Sequence, residues 1–179
     1  MLALVGLVLA ALAFPQPGQV PHVDGTGEWD IIMMYNPRTK TETIALTSSG
    51  VVIQLNTDGD PVVITARDHN CRAKPLILRT DGGRPVLLGE GGRRSVPFAT
   101  RLMLAGKKAV LAYYTEPCES IQQTEVDLAG LPQTLQKARN LPESERESLE
   151  AQIQAEIAAA EKAEADRLER EHRLARNTK

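Results

Sequence analysis

The chain has 179 residues, enough for one globular domain and an appendage. It is 42% hydrophobic and 25% charged, values ordinary for a soluble protein, but only 3% aromatic, so a core must rest on Val, Ile, Leu, Ala and Met. A formal charge of −2 and a pI near 6.0 exclude the basic footprint of a nucleic-acid binder, and no nucleic-acid partner is expected.

Residues 1–13 form a signal-like segment: Leu2 to Ala13 are wholly apolar or Gly, too short a run for a comfortable bilayer span. Ala11-Leu12-Ala13 supplies the small-x-small pattern of a cleavage site. No Lys or Arg precedes the run. Either the true start lies upstream, or the segment stays as an anchor, the one membrane attachment expected. The chain is therefore read as periplasmic or secreted. Residues 14–27, rich in Pro and Gly, read as a linker from cleavage site to domain.

A β-rich domain is expected over residues 28–140. Trp29–Tyr35 reads as a buried strand with Trp29 as a core anchor, and Asn36-Pro37-Arg38-Thr39 as a turn. Thr41–Thr47, Val51–Leu55, Val62–Ala66, Leu76–Leu78 and Val86–Leu88 follow as short strands. They are divided by Ser48-Ser49-Gly50, Asp58-Gly59-Asp60, the hairpin signal Asp81-Gly82-Gly83 and the Gly89–Gly92 loop. Val96–Leu104, Ala109–Thr115 and Ile121–Leu128 complete the set, with no helix expected between them. Turn signals at this spacing argue for an antiparallel β-sandwich or a barrel-like domain, mainly β in class. Cys71 and Cys118 lie in this domain, and in an oxidising compartment they are expected to pair, closing a loop of roughly fifty residues.

At Gly130 the period changes. Leu131–Ala138 reads as a short helix with Pro132 in its first turn. Residues 141–179 read as a long charged C-terminal helix opened by a capping box, Ser144-x-x-Glu147. Leu149, Ile153, Ile157 and Ala160 give it a weak apolar stripe, and beyond Ala163 only Leu168 and Leu174 are large and apolar. The first half is expected to pack on the domain or on a partner, which makes Leu149, Ile153 and Ile157 candidate partner-binding residues. An oligomer through this helix, as a coiled coil, is the further option.

The motifs that carry chemistry are thin. Asp68-His69-Asn70-Cys71 groups potential metal ligands, but a bridged Cys71 cannot ligate, and no metal or cofactor is expected. Asp58-Gly59-Asp60 lacks the later oxygen ligands of a calcium loop. Gly89-Glu90-Gly91-Gly92-Arg93-Arg94 lacks the Lys-Ser/Thr of a phosphate loop; as an exposed basic loop it makes Arg93 and Arg94 candidates for contact with an acidic partner. No nucleophile-base pair stands out, and Glu90, Glu116 and Glu119 offer no reason to choose any two, so an enzyme is not expected.

Gly27-Glu28-Trp29-Asp30, through Asn36-Pro37-Arg38-Thr39 to Thr43-Ile44-Ala45-Leu46, resembles the opening of small periplasmic proteins. Val126-Asp127-Leu128-Ala129-Gly130-Leu131, followed by Leu135, is similar to their closing strand-to-helix turn. The pattern is that of type VI secretion-associated periplasmic proteins of the TagO/VasI kind, with a comparable closing strand in invasion-associated locus B-like proteins. The resemblance spans roughly residues 27–138, leaves out the long helix, and implies a periplasmic β-sandwich with an accessory, non-catalytic role. The expected function is a binding or accessory protein with a protein partner in the cell envelope. The alternatives are an inhibitor or immunity-type protein of an envelope enzyme, and a hydrolase with an unrecognised carboxylate site.

Overall fold

The structure is a computed structural model, and it describes residues 22–23, 29–36, 39, 41–71 and 73–177. The signal-like segment lies outside the described residues, as does most of the stretch read as a linker.

Two antiparallel sheets and three helices make up the described chain. The first sheet is a meander of β1 (His22–Val23), β2 (Asp30–Asn36), β3 (Thr41–Ser48), β4 (Val51–Leu55) and β5 (Pro61–Ala66), each paired with the next. The second holds β6 (Pro75–Thr80), β7 (Val86–Glu90), β8 (Lys108–Tyr114) and β9 (Ile121–Asp127) in the order β7-β6-β8-β9. The short strand β1 falls inside the expected linker and pairs His22 with Ile32.

The strands arise where alternation predicts them, because period-two patterning sends one set of side chains to a shared core. Ile31, Leu46, Ile53 and Ile64 from the first sheet and Leu78, Leu111 and Val126 from the second belong to one buried cluster. A mainly β fold with a C-terminal helix is compatible with this arrangement.

One expected strand is a helix. Val96–Leu104 is not extended; α1 spans Val96–Ala105, so a helix does interrupt the strand series, between β7 and β8. Its buried residues are Val96, Ala99 and Met103, a helical spacing within a mostly apolar stretch that Thr100 and Arg101 interrupt. Pro97 in the first turn suits a helix start, where its missing N–H costs no bond. The helix packs on β5, β6 and β7.

Helix α2 (Leu131–Arg139) follows the sequence reading and buries Leu131, Thr134, Leu135 and Ala138. Helix α3 (Glu143–Asn177) starts one residue before the expected capping Ser. The Pro142 carbonyl accepts the N–H groups of Glu145 and Arg146, so Ser144 sits inside the first turn and the capping box does not form. The Pro142 ring disfavours helical backbone at Leu141, which sets this boundary. The apolar stripe of α3 packs on this chain's own body: Leu149 and Ile153 are buried in the main core, and Ile157 packs at its rim. The core therefore runs past residue 140 and ends inside α3. From Ala158 to Arg173 every side chain is exposed.

Candidate functional site

Three features carry candidate function: a cross-linked corner, the Gly-rich loop and the far half of α3.

The corner joins the segment after β5 to the segment after β8. Cys71 and Cys118 are bridged, with Cα atoms 5.7 Å apart. Next to the bridge, Asn70 Oδ1 accepts the Glu116 N–H at 2.9 Å, beside a cis Glu116–Pro117 peptide. His69 Nδ1 lies 3.1 Å from the Tyr114 carbonyl and 3.4 Å from the Tyr114 nitrogen. The reason is visible in the register. The β6–β8 pairing runs from Thr80↔Ala109 to Ile77↔Ala112, and carried two residues further it sets Pro75 opposite Tyr114. Pro75 has no N–H to give, and the imidazole Nδ1 stands against the Tyr114 backbone in its place, donating to the carbonyl in one tautomer and accepting the N–H in the other. The other ring nitrogen, Nε2, is buried and makes no hydrogen bond. His69 is thus part of the tie between the two segments. Cys71, being bridged, is not a ligand, and among the described residues no three His, Cys, Asp or Glu side chains gather as a metal site requires.

The loop after β7 is held rather than free. Gly92 presses on β5: its carbonyl accepts the Ile64 N–H at 2.9 Å, and a Cβ there would meet the Ile64 oxygen at 1.9 Å. The Arg94 N–H returns to the Leu88 carbonyl, and the Arg94 methylenes lie over Gly89. Gly89, Gly91 and Gly92 all have φ near +70°, the left-handed conformation that glycine adopts without steric cost. Arg93 and Arg94 are exposed, on a backbone braced against the edge of the other sheet.

The turn Asp58-Gly59-Asp60 is closed from within. Asn56 Oδ1 accepts the N–H groups of Asp58 and Asp60, while Arg139 of α2 reaches Asp60 at 2.6 Å and the Gly59 carbonyl. The Asp60 carboxylate therefore serves α2. Of the three Glu singled out in the sequence, Glu116 and Glu119 are exposed near the bridge, and the Glu90 side chain lies outside the described residues. A shallow apolar recess between α1, α2 and the first sheet is lined by Leu46, Ile53, Met103, Leu131 and Leu135, beside the unbonded Thr100 hydroxyl.

Two structural ties escape sequence reading. Asp81 in the β6–β7 turn accepts the N–H groups of Lys107 and Lys108 at 2.9–3.1 Å, and these two donors, Lys108 first, hold its carboxyl below the usual aspartate range. The Trp29 indole N–H donates to the Asp127 carbonyl at 2.9 Å. Both partners are distant in the chain, and backbone acceptors and donors leave no residue signature.

On α3 the exposed half carries its own support. Arg167 pairs with Glu164 at 2.6 Å and Arg173 with Glu169 at 2.8 Å, at helical spacings of three and four. No described helix is long and apolar enough to cross a membrane. Comparison of the chain with family models, with curated proteins and with solved structures returned no match.

Proposed function

We propose that this chain is a non-catalytic binding or accessory protein of the periplasm or the extracellular space. In this reading the N-terminal segment directs export, the two sheets act as a sandwich-like body, and α3 presents an arm to a protein partner in the envelope. The Cys71–Cys118 bridge supports the compartment, since such bonds persist where the redox poise is oxidising.

The observation that carries the role is the division of α3. Leu149 and Ile153 root the helix in the core, and from Ala158 to Arg173 it continues for about 24 Å at about 1.5 Å per residue with exposed side chains. A helix so rooted holds a fixed direction, and its ion pairs favour helix where no packing does. The partner surface is then the far half of α3, rather than the buried stripe of Leu149, Ile153 and Ile157.

The test is affinity capture from the envelope fraction with the whole chain and with a chain truncated after Ala158, with mass spectrometry reading the mature N-terminus. Loss of a captured protein on truncation supports the arm. An unchanged capture pattern refutes it. A second reading, an inhibitor acting through the loop, is favoured by the bracing of Arg93 and Arg94; there, capture survives truncation and fails in Arg93→Ala/Arg94→Ala.

A further inference from the structure

The edge strand β9 offers a free row of backbone groups whose arrangement specifies its own partner. The side of the strand that is open follows from the pairing. The Leu128 N–H donates to the Lys107 carbonyl, so Lys107 and Leu128 face each other as a hydrogen-bonded pair. One residue on, Lys108 gives its N–H to Asp81 and its carbonyl to the Asp81 N–H, while the Asp127 carbonyl accepts Trp29. Lys108 and Asp127 thus point away from one another. Alternation then carries along the strand: Val126, Thr124 and Gln122 bond to β8, and Glu125, Gln123 and Ile121 turn their N–H and C=O outward. Nothing among the described residues bonds those outward groups, and all three side chains are exposed, Ile121 by 52%. The β5 edge of the first sheet is treated differently, since Gly92 is bonded to Ile64 and α1 is packed against the strand.

We infer that β9 pairs antiparallel with β9 of a second copy of this chain, about a two-fold axis at Gln123. Parity leads to this register. Outward-facing residues must oppose outward-facing residues, so the axis passes through one of the residues from Ile121 to Glu125 and never between two of them. An axis at Thr124 or Glu125 brings Asp127, whose carbonyl Trp29 already occupies, into the ladder. An axis at Ile121 or Gln122 sets Glu125 opposite residues that precede β9. At Gln123 every free residue is used: Gln123 opposes Gln123, and Ile121 opposes Glu125 in both directions. On the inward face Gln122 meets Thr124, polar on polar. The two four-stranded sheets become one continuous sheet, and an edge that would otherwise recruit strands indiscriminately is closed by a symmetric interface.

The test is sedimentation equilibrium of the whole protein across micromolar concentrations, with three variants. The wild type is expected to associate to twice its monomer mass. In Gln123→Pro the substituted N–H faces outward, so no β8 bond is lost and the fold is kept, while dimerisation is abolished. In Ile121→Glu a carboxylate faces Glu125 of the second copy, and the dimer weakens about tenfold or more. In Ile121→Lys the same position gains an opposite charge, and the dimer is retained or tightened. If Gln123→Pro fails to fold, the two Ile121 variants, at an exposed side chain, still decide the matter. A wild type that stays monomeric throughout overturns the inference. So does a dimer that persists in folded Gln123→Pro, or one that responds alike to Glu and Lys at position 121.

Discussion

The Trp29 indole N–H donates to the Asp127 backbone carbonyl at 2.9 Å, joining the residue before β2 to the last residue of β9 across 98 positions of sequence. Trp29 is fully buried, so one side chain fills core volume and closes an edge carbonyl that β8 does not reach. The anchoring expected of this residue is therefore made by packing and by one directed bond.

Trp29→Phe keeps a large aromatic ring and removes the donor. The expected loss is about 1–3 kcal/mol, from the unpaired Asp127 carbonyl and the smaller ring. Trp29→Ala is expected to lose about 3–5 kcal/mol. Urea titration followed by far-UV circular dichroism reads both, and a Phe variant as stable as wild type removes the bond from the account.

The Cys71–Cys118 bridge closes a loop with a sequence separation of 47. Constraint of the unfolded chain by such a loop is worth about 4 kcal/mol on the chain-entropy estimate. The Cys71→Ser/Cys118→Ser pair of substitutions is expected to lower the denaturation midpoint accordingly, and reductant to do the same to the wild type alone. Reductant that also destabilises the double variant would show that its effect lies elsewhere.

Gly92→Ala is expected to be among the costliest single-methyl changes in the chain, about 3 kcal/mol or more. The added Cβ meets the Ile64 carbonyl oxygen, and the residue's φ is +71°. Gly82→Ala is the control: φ is +69° but no atom lies within 4 Å, so only the backbone term of about 1–2 kcal/mol applies. Comparable melting temperatures for the two variants would show that the loop does not press on β5.

Asp81 gives a pH dependence with a defined sign. The backbone N–H groups of Lys108 and Lys107 hold its carboxyl below the usual aspartate range in the folded chain. Its contribution is full above the unfolded value, about pH 4, and is lost as pH falls through the lower folded value. Wild type should therefore lose more stability than Asp81→Asn between about pH 5 and about pH 2. Thermal melts across that range read the difference, and parallel curves would contradict it.

Helix α3 should divide in its mutational response. Ile153→Ala is expected to cost about 2–5 kcal/mol, because the side chain is buried in the main core. Leu168→Ala, in the exposed half, should stay within about 0.5 kcal/mol. Equal effects at the two positions would mean that the arm packs on something.

Short β-prone runs between turn signals made the strands legible from Thr41 to Ala66 and from Lys108 to Asp127, and in Thr41–Thr47 polar and apolar residues alternate as well. Val96–Leu104 misled for a different reason. Apolar residues that stay exposed, such as Phe98 and Leu104, lie among the buried ones, so Val96, Ala99 and Met103 do not stand out as a helical face until β5, β6 and β7 are there to bury them. The candidate site was less legible. Arg93 and Arg94 are where the sequence suggested, exposed on a loop, but the bracing of that loop depends on the Ile64 N–H, which belongs to a distant strand. Leu149, Ile153 and Ile157 were rightly seen as a stripe, and a stripe does not say which surface it meets.

The sequence by itself determined the local structure of this protein: strands where polarity alternates, turns where Gly, Asn and Pro set the backbone, and a C-terminal helix where Ala, Glu and Arg accumulate. Those choices rest on interactions within a few residues, which composition and spacing record. The tertiary structure alone decided what closes each element. It gave Trp29 to the Asp127 carbonyl and His69 to the Tyr114 backbone, it turned the α3 stripe inward, and it left Ile121, Gln123 and Glu125 open. Backbone donors and acceptors are the same in every residue but Pro, so which of them remain unpaired appears only when the chain is folded.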